Sequence, residues 1–226
     1  MGFLFYRRSL DIMTPFPMHP SRLFSILLVA LLLLFGGPIR GSWAQGQQST
    51  QADIRTMLEE RNQEIKSILS GSSDYSQAQR DRLKDLINGV LDFEAMAATA
   101  LGTHWDTLST DRRDKFVNVF RDVVRAQSMS DLGVYNSAVT YDQITVQGDS
   151  AYVRTTTTYK GRKTPVEYIL EQQEGDWKAE DIIVDEVSTA EGYARSFQSV
   201  MRKRGFKALM GALEKKREEV SKEETG

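Results

Sequence analysis

The chain has 226 residues, 40% of them hydrophobic, with 29 basic side chains against 31 acidic and a formal charge of −2. It contains two histidines and no cysteine. Such a balance speaks against the basic face that a nucleic-acid partner requires, and the missing thiols exclude disulfides, thiol nucleophiles and thiolate metal sites together.

Arg7, Arg8 and Arg22 precede the apolar run Leu23 to Phe35, and the small-x-small sequence Ser42-Trp43-Ala44 follows it. This order predicts a secretory signal peptide over residues 1–44, cleaved after Ala44. An uncleaved membrane anchor is the alternative, but the run is short of the ~20 residues that span a bilayer. No cysteine follows to carry a lipid anchor. Removing 1–44 takes away four Arg and one Asp, leaving 25 basic and 30 acidic side chains and a charge near −5. The mature chain is then an exported protein, expected in the periplasm. His19 leaves with the leader, so His104 is the one histidine kept. A multi-His metal site is thereby excluded, though a catalytic triad on one His is not. His104 sits in the Gly-containing turn Ala100-Leu101-Gly102-Thr103-His104-Trp105 and reads as a loop residue.

Residues 45–50 are polar and read as a flexible leader. From Gln51 to Leu69, Ile54, Met57, Leu58, Ile65, Ile68 and Leu69 follow helical spacing, and Ser70-Gly71-Ser72-Ser73 ends that helix. A second helix is predicted from about Ser76 to Asn88, with Leu83, Leu86 and Ile87 inward. A third begins at the N-cap candidate Asp92 and carries Phe93, Met96, Ala97, Ala100 and Leu101 before Gly102. The longest is predicted from Ser109 to about Val134, with the stripe Phe116, Val119, Phe120, Val123 and Val124.

Ala138 to Asp185 reads as four strands in an antiparallel meander. Its turns are Gly148-Asp149-Ser150, Lys160-Gly161-Arg162-Lys163 and Glu174-Gly175-Asp176. In the second strand Ala151, Val153, Thr155, Thr157 and Tyr159 share a face; in the third Val166, Tyr168 and Leu170 do; in the fourth Trp177, Ala179 and Ile183 do. The first strand is irregular, since Val139 and Tyr141 have one parity and Ile144 and Val146 the other. Either a bulge lies near Asp142 or the strand starts at Gln143. Helices follow from about Ala190 to Lys203 and from Phe206 to about Val220, split by Gly205, with 221–226 a disordered tail. The fold class is α+β: one domain over 51–220, helical over 51–135, sheet over 138–185, helical over 190–220.

No phosphate-binding Gly-rich loop, Gly-x-Ser-x-Gly elbow or His-Glu-x-x-His helix is present. Asp181 and Asp185 are the carboxylates to weigh. Asp181 falls on the face expected to be covered, where a carboxylate is either a hydrogen-bonded anchor or an acid/base with a shifted pKa. The aromatic residues, among them Phe93, Trp105, Phe116, Phe120, Tyr141, Tyr168, Trp177, Tyr193, Phe197 and Phe206, can fill a core or wall a hollow. Periodicity does not distinguish the two.

Asp92 to Lys215 resembles the MlaC, or toluene-tolerance, family of periplasmic phospholipid-binding proteins. The matching pieces come in family order: Ala100-Leu101-Gly102 with Trp105, Phe116-x-x-x-Phe120, Tyr135, Val153-x-Thr155, Val166-x-Tyr168-x-Leu170, Trp177-Lys178-Ala179-Glu180-Asp181, Val187-Ser188, Phe197, Gly205, Leu209 and Leu213. Departures fall at Glu186, where the family usually has Gly, at Gly192 and Ala194, which flank Tyr193 in place of Asn and Arg, and at Ser128, in place of a Tyr. The resemblance implies an apolar cavity between sheet and helices that holds acyl chains of a phospholipid or a hopanoid-like lipid, with no chemistry on the lipid and no cofactor. It implies as partners an outer-membrane lipoprotein complex and an inner-membrane ABC transporter complex with an MCE-type substrate-binding protein. The lining expected from it is Val153, Thr155, Val166, Tyr168, Leu170, Trp177 and Ile183 from the sheet, faced by Phe93, Met96, Leu101, Phe116, Phe120, Val124, Phe197 and Met201 from helices. Asp181, Gly102 and Trp105 are expected to be structural. Arg154, Arg162, Lys163 or Arg195 would meet the headgroup phosphate.

Overall fold

The computed structural model describes residues 42–71 and 74–225, with side chains over 50–71 and 74–222. The predicted leader peptide thus lies outside the described residues, apart from Ser42 to Ala44. Those three open helix α1 (Ser42–Leu69), which runs without a break through the stretch read as a flexible leader. Ala and Gln are good helix formers, and the single Gly46 costs only about 1 kcal/mol there.

Helix α2 (Gln77–Asn88) starts on a capping box: Gln79 N–H donates to Ser76 Oγ at 3.3 Å, and Ser76 N–H to Gln79 Oε1 at 2.9 Å. Helix α3 (Phe93–Leu101) is capped as its sequence predicts, by Asp92 Oδ1 accepting from Glu94 and Ala95 N–H. It ends at Gly102, whose φ of 56° favours glycine; a Cβ there would sit 2.7 Å from Nε2 at the flexible end of Gln198, which would have to move aside. A 3-10 helix (Gly102–Thr107) carries His104 and Trp105. Arg113 fixes that turn, donating to the Trp105 carbonyl at 3.0 Å with its guanidinium 5.0 Å from the indole centroid. Helix α4 (Thr110–Ser128) stops before Val134, where the spacing predicts its end. The hydroxyls of Ser128 and Ser130 turn back on the carbonyls of Arg125 and Gln127, both at 2.8 Å, and a second 3-10 helix (Leu132–Asn136) follows.

The sheet has five antiparallel strands in sequence order rather than four: β1 (Ala138–Gln147), β2 (Ser150–Tyr159), β3 (Arg162–Gln173), β4 (Asp176–Val184) and the short β5 (Val187–Ser188). Each hairpin turns in two residues. In Lys160-Gly161, Glu174-Gly175 and Asp185-Glu186 both have positive φ, the type I′ geometry that matches strand twist. Val90 and Asp92, in the link between α2 and α3, pair with Ala179 on the free edge of β4 at 2.6 and 2.8 Å, and β5 covers the rest. Helix α5 (Thr189–Thr225) breaks at Gly205 (φ 77°, ψ 176°) as expected. It continues through 221–225, the residues read as a tail.

Buried side chains form three clusters. One joins α3, α4 and α5 around Phe116, Phe120 and Phe197. The second locks α1 onto the sheet through Ile54, Leu58, Val146, Ala151, Val153, Leu170 and Ala179. The third joins α1 to α2 through Ile65, Leu69, Leu83 and Leu86. The cover of the sheet therefore comes largely from α1.

Candidate functional site

Two bulges give the covered face of the sheet its continuity. The β1–β2 register shifts between Tyr141 and Gln143, so Asp142 is the extra residue and its carboxylate accepts from Thr156 Oγ1 at 2.6 Å. Val139, Tyr141, Ile144 and Val146 then all face the same way, which settles the irregular parity of this strand in favour of a bulge. The β3–β4 register shifts at Glu180, since Leu170 pairs with Ala179 while Ile169 pairs with Asp181. Beyond that point the parity of β4 reverses. The rows across the covered face are Val146–Ala151–Leu170–Ala179, then Ile144–Val153–Tyr168–Ile182, then Tyr141–Thr155–Val166–Val184, then Val139–Thr157–Thr164.

These rows end in two different environments. At the first, Val153, Leu170 and Ala179 are wholly buried beneath Ile54 and Leu58. Toward the other end the helices stand off, and a cavity of about 690 Å³ opens, within the 300–1,000 Å³ usual for ligand sites. Its sheet wall is Val139, Tyr141, Thr155, Thr157, Tyr159, Thr164, Val166, Tyr168, Ile182 and Val184. Facing them are Leu58, Arg61, Asn62 and Ile65 of α1, Leu86, Ile87 and Asn88 of α2, Val90 and Leu91 of the link, Met96, Val124 and Ser128, and Val134 and Tyr135 of the second 3-10 helix.

Polar side chains are interspersed with the apolar ones in this lining, and several are buried or already partnered. Burial pushes the Tyr135 and Tyr141 phenols up to about 12, with Tyr168 nearby adding to the effect; burial also raises Tyr168. All three hydroxyls stay neutral at any physiological pH. Asn88, 1% exposed, donates through Nδ2 to the Lys84 carbonyl and to Ser128 Oγ, both at 2.9 Å, leaving Oδ1 without a partner. Arg162 and Asp185 form an ion pair at 2.6 Å. Arg61 donates to the Leu86 carbonyl at 3.0 Å.

Of the residues predicted to line a cavity, Met96, Val124, Thr155, Val166 and Tyr168 do so. The rest are corrected in three groups. Phe93, Leu101, Phe116, Phe120 and Phe197 belong to the packed core of α3, α4 and α5, with Met201 against it. Their rings interlock: Phe116 stacks on Phe120 at 5.8 Å, and Phe197 meets each edge-on at 5.8 Å. Val153, Leu170 and Trp177 belong to the closed end, under α1. Ile183 is turned to the opposite face by the Glu180 bulge, pairing with Glu167, and its neighbours Ile182 and Val184 take the cavity side. Because apolar residues occupy 182, 183 and 184 in a row, alternation alone favours neither parity.

The same bulge removes Asp181 from the covered face. Its Oδ1 accepts from Ala190 N–H at 3.0 Å and its Oδ2 from Ser188 Oγ at 2.5 Å, so it anchors the start of α5. Among the headgroup candidates Arg162 lines the cavity; Arg154 lies 3.8 Å from Glu167, and Lys163 and Arg195 are not in the lining. The α1 and α2 lining residues Leu58, Ile65, Leu86 and Ile87 carried a signal, their helical apolar spacing, but nothing in that spacing says which helix roofs the sheet.

An α+β fold whose curved antiparallel sheet and helices enclose an apolar cavity defines a class of small-molecule binding folds. The chain belongs to the MlaC family, whose model, described as MlaC protein, matches residues 52–215. A phospholipid-binding protein from Ralstonia solanacearum, its structure determined in complex with a phospholipid, has the same fold. The TM-score is 0.62 at 20% identity, over 76% of this chain and 98% of that one. No curated protein matches the chain. Among the described residues no helix is long and apolar enough to cross a membrane, and no cluster of three or more His, Asp or Glu is placed to hold a metal ion.

Proposed function

We propose that this protein is a periplasmic lipid carrier that holds phospholipid acyl chains between α1, α2 and the sheet and ferries them between an outer-membrane lipoprotein complex and an inner-membrane ABC transporter complex. The observation that supports this most is the cavity: about 690 Å³, walled mainly by apolar surface with neutral hydroxyls, one ion pair and Arg61, and open at one end. Water that enters the open hollow leaves its apolar walls hydrated, and hydrocarbon that displaces it gains about 0.8 kcal/mol for every methylene removed from water. A lipid with about 30 methylenes would carry a penalty on the order of 20 kcal/mol across an aqueous compartment without such a container.

Export fits the same reading. Residues 1–44 direct the chain across the inner membrane and are removed after Ala44, leaving a helix α1 that begins at the cleavage site. The family membership and the phospholipid in the Ralstonia protein support the choice of ligand. Asp181, the carboxylate considered for acid/base work, is held by Ser188 and Ala190, which supports binding without chemistry.

Native mass spectrometry of the protein purified from the periplasm tests the proposal. The expected spectrum shows a mature chain starting at Gln45 with one phospholipid. Protein emerging empty under conditions that preserve lipid complexes would contradict the carrier reading.

A further inference from the structure

Arg61 is a cation set into an apolar wall with no anion of its own. It lies on α1 between Leu58 and Ile65, and all three line the cavity. Its Nη1 donates to the Leu86 carbonyl at 3.0 Å, near the C-terminal end of α2, where backbone carbonyls favour positive charge. That contact uses one of five guanidinium donors. The carboxylate nearest in sequence, Glu64, is engaged twice by Arg82, at 2.6 and 2.7 Å. Asp176 and Glu64 act on Arg61 only from a distance, while burial and Arg82 both disfavour its charge. Among the described residues Arg61 forms no ion pair. The other cation of the lining, Arg162, is already matched by Asp185 at 2.6 Å.

We propose that Arg61 binds the phosphate of the cargo and so makes the cavity select anionic phospholipid over neutral lipid with the same tails. This rests on the cavity being a lipid site. A half-buried guanidinium with unfilled donors beside hydrocarbon is matched best by a ligand that joins an anion to apolar tails, and a phosphodiester offers the bidentate oxygens that arginine fits. The headgroup then lies against α1 and the end of α2, and the tails run from there toward Val166 and Tyr168. Helix capping alone would require a cation near Leu86 but would give no lipid preference.

The test is competition. Protein purified from the periplasm and stripped of lipid is offered equal amounts of dioleoylphosphatidylglycerol and dioleoylglycerol, and native mass spectrometry reads the bound fraction. Wild-type protein is expected to prefer the phospholipid by at least tenfold, the scale of one charge-assisted contact. Arg61→Gln should bring the ratio close to one, Arg61→Lys should keep part of the preference, and Arg154→Gln, outside the lining beside Glu167, should leave it unchanged. A preference that survives Arg61→Gln, or that disappears in Arg154→Gln, overturns the assignment. Wild-type protein that takes both lipids equally overturns it while leaving the carrier reading intact; protein that takes neither overturns both. Should Arg61→Gln fail to fold, phenylglyoxal labelling of wild-type protein gives the answer by peptide mapping. Phosphatidylglycerol should protect Arg61 at least tenfold more than dioleoylglycerol, and equal protection, or equal protection by inorganic phosphate alone, overturns the proposal.

Discussion

Two apolar regions of this molecule are built from similar residues and end in opposite ways. Between α3, α4 and α5 the rings of Phe116, Phe120, Phe197 and Tyr193 meet at centroid distances of 4.9 to 5.8 Å and leave no room. Between α1, α2 and the far end of the sheet the walls stay apart. The difference lies in reach and curvature. Phenylalanines on facing helices span the gap between axes, whereas Thr155, Thr157 and Thr164 project little from a sheet already bent by bulges at Asp142 and Glu180. Apolar composition is common to both regions; only the size of the side chains and the bend of the backbone separate a core from a container.

Opposite ends of one sheet face sharpen that contrast most. Leu170→Glu places a charge in the closed end, where Leu170 is 0% exposed, and should prevent folding outright. Val166→Glu, four residues away on the same face, should leave a folded protein that no longer retains lipid. Circular dichroism and native mass spectrometry distinguish the two, and similar behaviour by both variants would erase the boundary drawn between them. Next in size, Phe120→Ala in the aromatic core should cost about 3–5 kcal/mol in urea unfolding, against less than about 1 kcal/mol for Thr157→Ala on the cavity wall.

A titration probes the region where packing and cavity meet. Tyr135 has a phenol pushed up to about 12 in the folded chain, against about 10 when unfolded. The folded state holds that proton more tightly, so the contribution is complete below pH 10 and is lost as pH rises toward 12. Tyr135→Phe should therefore flatten the fall in stability over that window by on the order of 2 kcal/mol. An unchanged alkaline slope would show that the hydroxyl is solvated. The smallest effect expected is a gain: Glu186 has φ 67° in the turn before β5, where glycine fits without strain. Glu186→Gly should stabilise the protein by about 0.5–1 kcal/mol, read as a shift in the urea midpoint.

Much of this architecture was legible in the chain. Asp92 as a cap, Gly102 and Gly205 as breaks, the Gly-containing hairpins and the shared face of β2 all follow from local chemistry, because backbone conformation there is fixed by one or two residues. The walls of the cavity were legible only in part. Val166, Thr155 and Tyr168 follow from alternation, but the step from Ile183 to Ile182 and Val184 depends on one extra residue in β4, beside Ala179, where Val90 and Asp92 dock from some ninety positions away in the chain. The aromatic stripes of α4 and α5 pack on each other and on α3 instead of roofing the sheet, for a similar reason. An amphipathic stripe states that a helix has a partner without stating which, and α1, with its quieter pattern of Ile54, Leu58 and Ile65, is the partner of the sheet.

The central claim is that hydrocarbon lies between α1, α2 and the open end of the sheet, not among the aromatic helices. A crystal structure of the protein loaded with a phospholipid carrying brominated tails measures this directly through the anomalous signal of bromine. The account predicts bromine sites along the sheet wall, against Val166, Tyr168 and Ile182. Bromine lodged beside Phe116, Phe120 and Phe197, or confined to the outer surface, would contradict it.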